Sequence, residues 1–195
     1  MDWILPGTIL PAKRADAPYI EEHFRAMFYA GGMVLSQVAS VTGLEPYVIQ
    51  NWVKRGFLSP PVQKRYTMNQ LCRILNINML KSVLPLEQIC GLLTYVNGNL
   101  EDDSDDLIDD AVLYFLFVRL ASDFGSMQNA QGRDQRLEKL MASYREPAPG
   151  GAERVKKVLR IMLTAWAAAQ LRQTAEEMIR QLKPEQTKEN KGKIQ

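Results

Sequence analysis

The sequence predicts a fold built mainly of α-helices, and three features carry that expectation. Apolar residues recur at helical spacing along most of the 195-residue chain. Glycine and proline punctuate those stretches, as at Gly31-Gly32, Pro60-Pro61 and the run Pro147-Ala148-Pro149-Gly150-Gly151. Residues 152–182 form one long helical pattern, or two helices joined with little break, carrying two offset apolar stripes.

In chain order, Pro18 sits near a helix start, and Ile20, Phe24, Met27 and Phe28 form one face that stops at Gly31-Gly32. Two short helices follow around Thr42-Gly43, then a break at Pro60-Pro61 and a helix over 69–81 capped by Thr67. Another short helix follows Pro85. Residues 111–118 are apolar without exception, so their helix is expected at the centre of a bundle or in an oligomer interface. Residues 133–145 read as a further helix. In the last long segment, Val155, Leu159, Met162, Trp166 and Ala169 share one stripe, and Leu171, Ala175, Met178 and Leu182 share a second. Residues 184–195 are polar and expected to be disordered.

Composition narrows the chemistry. With 46% hydrophobic and 24% charged residues the chain is ordinary globular material. The eight-residue apolar run is far too short to span a bilayer, and Asp2 with Pro6 spoils a secretory leader. A cytoplasmic protein without membrane contact is expected. Cys72, Cys90 and His23 are too few and too scattered for a zinc site, and no phosphate loop or nucleophile signature occurs. The acidic run (Glu101, Asp102, Asp103, Asp105, Asp106, Asp109, Asp110) lacks the glycine and late glutamate of a calcium loop. Its residues suit a helix N-terminus instead. The expectation is therefore no enzyme, no cofactor and no metal.

The net charge of +2 conceals a segregation. Residues 35–81 hold Lys54, Arg55, Lys64, Arg65, Arg73 and Lys81 against Glu45 alone. Residues 82–132 hold Arg119 against nine acids, and residues 133–195 hold 14 bases against eight acids. A basic block followed by an acidic one points to two surfaces with different tasks.

The basic block contains the informative motif. Ser36 is placed to cap a first short helix with Val38, Ala39 and Val41 inward, ending at Gly43. A second starts at Glu45-Pro46, turns Ile49, Trp52 and Val53 inward, and closes at Gly56. Two short helices joined by a tight glycine-containing turn read as a helix-turn-helix, whose second helix enters the major groove of double-stranded DNA. Its outward positions are Pro46, Tyr47, Gln50, Asn51 and Lys54. Gln50 and Asn51 can bond adenine bidentately, Tyr47 can reach phosphate or base, and Lys54 suits phosphate. Lys64, Arg65 and Tyr66 then read as a small wing placing two cations and an aromatic beside the backbone.

Residues 35–93 resemble the winged helix-turn-helix of the MerR family of bacterial transcription regulators. The resemblance rests on Val38-Ala39, Thr42-Gly43-Leu44, Ile49, Trp52, Gly56-Phe57-Leu58, Pro60 and Tyr66-Thr67 in register. Ile77, Leu80-Lys81, Leu86-Glu87 and Ile89 match the two-helix segment that follows. More widely, residues from about 20 to 125 resemble an uncharacterised bacterial family, typical of Gram-positive genomes, with a MerR-like region. The chain departs from the MerR pattern in three ways. Gln50-Asn51 replaces the usual Arg-Tyr, only Val62 to Lys64 separate Pro61 from Arg65, and no glycine lies between Val83 and Leu84. MerR-style promoter untwisting is therefore not expected.

The resemblance implies an all-α (mainly) protein with a short β wing and a helical bundle region behind it. Residues 1–32 are expected as an N-terminal helical extension, 33–95 as the winged helix-turn-helix, and 101–183 as a helical dimerisation or effector region. The expected function is sequence-specific transcriptional regulation by a homodimer joined through its C-terminal helices, with any small-molecule effector left open. The alternative is a protein-interaction module that keeps the shape without binding DNA. In the first case Lys54, Lys64, Arg65 and Arg73 should form one positive face beside an exposed second helix.

Overall fold

The computed structural model describes residues 2–98, 100, 103–126 and 130–182. Expectations for Glu101, Asp102 and the tail 184–195 lie outside the described residues. The architecture is mostly helical, with two small antiparallel sheets.

The chain begins with a two-stranded hairpin, β1 (Asp2–Ile4) and β2 (Pro11–Lys13), paired Trp3 to Ala12. This corrects the expected helical extension over 1–32 in its first part, where residues 2–13 form a hairpin instead. Pro6-Gly7 supplies the turn chemistry, and Thr8 Oγ1 donates to the Leu5 carbonyl at 2.9 Å. Gly7 is at φ +74° and lies so close to the Leu75 carbonyl that a side chain would collide with it. A 3-10 segment (Arg14–Tyr19) leads into α1 (Ile20–Met27), which buries Ile20 and Phe24 and leaves Met27 exposed.

Next come β3 (Met33–Val34), α2 (Leu35–Thr42), α3 (Pro46–Lys54), β4 (Arg65–Tyr66), α4 (Met68–Leu80) and α5 (Leu86–Asn97). The remaining helices are α6 (Asp110–Ser122), α7 (Ala130–Met141) and α8 (Gly151–Gln181). Thr67 caps α4 as its sequence suggests: its side chain accepts from Gln70 N–H at 3.2 Å, and the Gln70 side chain accepts from Thr67 N–H at 2.9 Å. Ser36 does not cap α2. Val34 precedes the helix, and the Gln37 side chain accepts from its N–H at 3.0 Å.

Helices α4 and α6 pack against each other at the centre. Leu71, Ile74, Leu75, Leu113, Tyr114 and Phe117 are wholly buried between them and their neighbours. The apolar run 111–118 thus lies mostly inside the bundle, with Val112 left exposed. Phe24 stacks edge-on against Phe115, and Phe117 meets Trp166 of α8 in the same way. One continuous core therefore runs from the N-terminal hairpin through α2–α5 into α6–α8, across the expected boundary near 95–101.

α8 is a single 31-residue helix. Its first half is packed, through Val155, Val158, Leu159, Met162 and Trp166. Its second half, with Leu171 and Met178, is exposed. Among the described residues no helix is long and apolar enough to cross a membrane.

Candidate nucleic-acid interface

The turn 43–45 between α2 and α3 is held from three directions. Gly43 takes φ +69° at the end of α2. Leu44 N–H donates to Thr42 Oγ1 at 3.2 Å, and Asn78 Nδ2 of α4 donates to the Thr42 and Gly7 carbonyls. Pro46 then opens α3 in the extended-to-helical transition where its missing N–H costs nothing. Ile49 and Trp52 bury completely or nearly so, which fixes the rotation of the helix. Tyr47, Gln50, Asn51 and Lys54 consequently face solvent, with Tyr47 69% exposed.

The wing is a two-residue hairpin tip. Arg65 N–H donates to the Val62 carbonyl at 2.9 Å, and Gln63 and Lys64 between them take φ +50° and +62°. This left-handed pair of non-glycine residues is strained, and it presents Lys64 at the tip. β4 pairs with β3 through Met33–Tyr66 and Val34–Arg65. The Arg65 guanidinium is exposed and donates to the Gly32 carbonyl at 3.0 Å.

Two sequence-based assignments need correction. Tyr66 is only 3% exposed: in a two-residue strand Arg65 faces out and Tyr66 in, so the ring anchors the wing rather than facing a duplex. Arg73 is likewise buried. Its Nε donates to the Phe57 carbonyl at 2.9 Å, and its Nη1 meets Asp110 Oδ2 at 3.0 Å. Arg55 pairs with Glu87 at 2.6 Å and stacks on Phe57. The outward cations beside α3 reduce to Lys54, Lys64 and Arg65. Neither α1 nor the described acidic residues cover the outward face of α3, whose four polar positions all remain exposed.

Asp110 is thus not a solvated member of the acidic run. Burial pushes its carboxyl above the usual range, while the Arg73 guanidinium and the Asn76 amide pull it back. Asn76 Nδ2 also donates to the Asp110 carbonyl, and Ala111 N–H donates to Asn69 Oδ1 at 2.9 Å. Asn69 of α4 therefore caps the first turn of α6, and Arg73 of α4 neutralises the Asp110 carboxylate there. Sequence reasoning missed this because the partners lie 37 residues apart.

A cleft of about 550 Å³ separates α3 from the wing. Val34, Leu35, Val53 and Pro61 make it largely apolar, with Gln50 and Lys64 at its rim.

Residues 30–117 match a domain of unknown function, DUF1836. The matched region starts just before β3 and ends inside α6, so it contains both the α2–α3 unit and the Arg73–Asp110 pair. The chain is also similar to the uncharacterized protein YkrK of Bacillus subtilis (strain 168). The two are 25% identical over 156 residues, an alignment covering 74% of this chain and 67% of YkrK. Both similarities fit an uncharacterised bacterial family. No solved structure matches the chain.

Proposed function

We propose that this protein is a sequence-specific, double-stranded-DNA-binding transcriptional regulator of the bacterial cytoplasm, with α2 and α3 acting as a MerR-like winged helix-turn-helix. The carrying observation is that Ile49 and Trp52 bury one side of α3 and leave Tyr47, Gln50, Asn51 and Lys54 outward, next to a strained hairpin tip bearing Lys64. In this reading Gln50 and Asn51 read base edges in the major groove, and Lys54, Lys64 and Arg65 bind phosphates. Each protomer reads one half-site, and the C-terminal helix joins two protomers. Selection of bound fragments from a random duplex library tests this: a recurring palindromic motif supports it, and a library that enriches nothing removes it.

The apolar cleft between α3 and the wing favours a second reading, a protein-interaction module in which a partner's apolar side chain enters beside Gln50 and Lys64. The same selection separates the two, because only the first reading yields a DNA motif.

A further inference from the structure

An open cleft of about 600 Å³ separates the N-terminal hairpin from α8, a volume in the range of small-molecule sites. Trp3, the loop Leu5–Thr8 and Arg14 form one wall, and α8 from Trp166 to Arg180 forms the other. Asn78, Met79 and Ser82, at and just beyond the end of α4, complete it. The face that α8 presents here is polar. Trp166, Ala169, Gln173, Glu176 and Arg180 follow spacings of three and four residues along one side of the helix, with Gln170 beside them. Leu171 and Met178 lie on the opposite side, in solvent. A helix packed for burial turns its apolar side inward. Polar side chains across an open space suit an occupant that forms hydrogen bonds.

The hairpin wall sets the charge of that occupant. Arg14 is half-buried, and its Nη1 donates to the Ala121 and Ser122 carbonyls at 3.1 and 3.2 Å. Its guanidinium also lies 4.7 Å from the centre of the Trp3 ring. These contacts hold the guanidinium in place, and among the described residues no carboxylate pairs with it. Arg172 and Arg180 on the far wall are already paired, with Glu176 and Glu177. Arg14 is therefore the cation of the cleft left for an anion. Trp3 itself is 8% exposed, and its buried indole N–H has no acceptor, so the same wall carries an unsatisfied donor. Trp166 supplies an aromatic surface opposite.

We propose that this cleft binds a small heteroaromatic acid. Its carboxylate or phosphate rests on the Arg14 guanidinium, whose planar fork matches either oxyanion. Its ring lies between the hairpin and Trp166, and the Gln170 and Gln173 amides bond its polar edge. The site adjoins the helix-turn-helix. Ile9 N–H of the hairpin donates to the Val41 carbonyl of α2 at 3.1 Å, and Asn78, in the cleft, donates to both the Gly7 and Thr42 carbonyls. A ligand here sits one hydrogen-bonded step from the α2–α3 turn.

The inference goes beyond the DNA-binding reading and is measured without DNA, so the two fail separately. Calorimetric titration of the full chain is the experiment. The probes are a panel of monocyclic and bicyclic heteroaromatic carboxylates, each beside its neutral amide, and adenosine monophosphate beside adenosine. The carboxylates and the nucleotide distinguish the two oxyanions. At least one acid should bind, about tenfold or more tighter than its neutral counterpart. Arg14→Gln and Gln173→Glu should each weaken that acid by about tenfold, the first by removing the cation and the second by setting a like charge in the cleft. Arg14→Gln also loses its contacts with the end of α6, whereas Gln173 is exposed and its replacement is isosteric, so Gln173→Glu keeps the fold. A panel in which no acid binds, an acid and its neutral counterpart bound alike, or a Gln173→Glu protein that binds the acid as wild type does would each overturn the proposal.

Discussion

Arg73 of α4 and Asp110 at the start of α6 form an ion pair at 3.0 Å whose side chains are 3% and 6% exposed. The same guanidinium holds the Phe57 carbonyl, just beyond α3. One cation therefore ties the turn after α3 to the bundle, and the basic block to the acidic one. A buried pair of this kind adds little net stability over an apolar replacement, but losing one partner strands the other's charge.

Arg73→Met or Asp110→Leu alone should therefore lower unfolding stability by about 3–5 kcal/mol, and the double replacement should restore most of it. Urea denaturation of the three variants checks this. Additive single effects in the double variant would show that the two side chains act independently.

The hairpin tip should trade stability against function. Lys64→Gly relieves a left-handed residue at φ +62° and should raise stability by about 1 kcal/mol. In the DNA-binding account it should also weaken binding to every duplex, because a phosphate contact is lost. Thermal melting and fluorescence anisotropy on one preparation read both effects.

Gly7 ties the N-terminal hairpin to α4. Gly7→Ala should cost about 2 kcal/mol or more, since the new methyl meets the Leu75 carbonyl in a backbone conformation that alanine disfavours. A change under half that size would mean the hairpin packs only loosely on the bundle.

The two cysteines should separate cleanly. Burial pushes the Cys72 thiol far up and the half-buried Cys90 thiol up less. A disulfide reagent at mildly alkaline pH should label Cys90 slowly in the folded protein and Cys72 only on unfolding. Equal labelling rates would contradict the packing of α4.

How far the sequence reveals this arrangement depends on how local each signal is. The rotation of α3 is legible because Pro46, Ile49, Trp52 and Gly56 set its start, its buried side and its end within eleven residues. The Thr67 cap and the central place of α6 are legible for the same reason. Strands β1 and β2 are three residues each, too short for a period-two pattern to emerge. The burial of Tyr66 depends on the register of a two-residue strand. Arg73 reads as surface charge until the fold carries Asp110 to it, and that burial removes one cation from the expected positive face.

The central claim is that α3 and the wing bind DNA through Gln50, Asn51, Lys54, Lys64 and Arg65. Its most direct measurement is the affinity for the selected duplex across a salt series, for wild type and for the Lys54→Ala/Lys64→Ala variant. With three phosphate-binding cations per protomer in a dimer, the wild-type logarithmic slope should be about −5, flattening to about −2 in the variant. A wild type with no salt-dependent binding, or a variant with an unchanged slope, would contradict it.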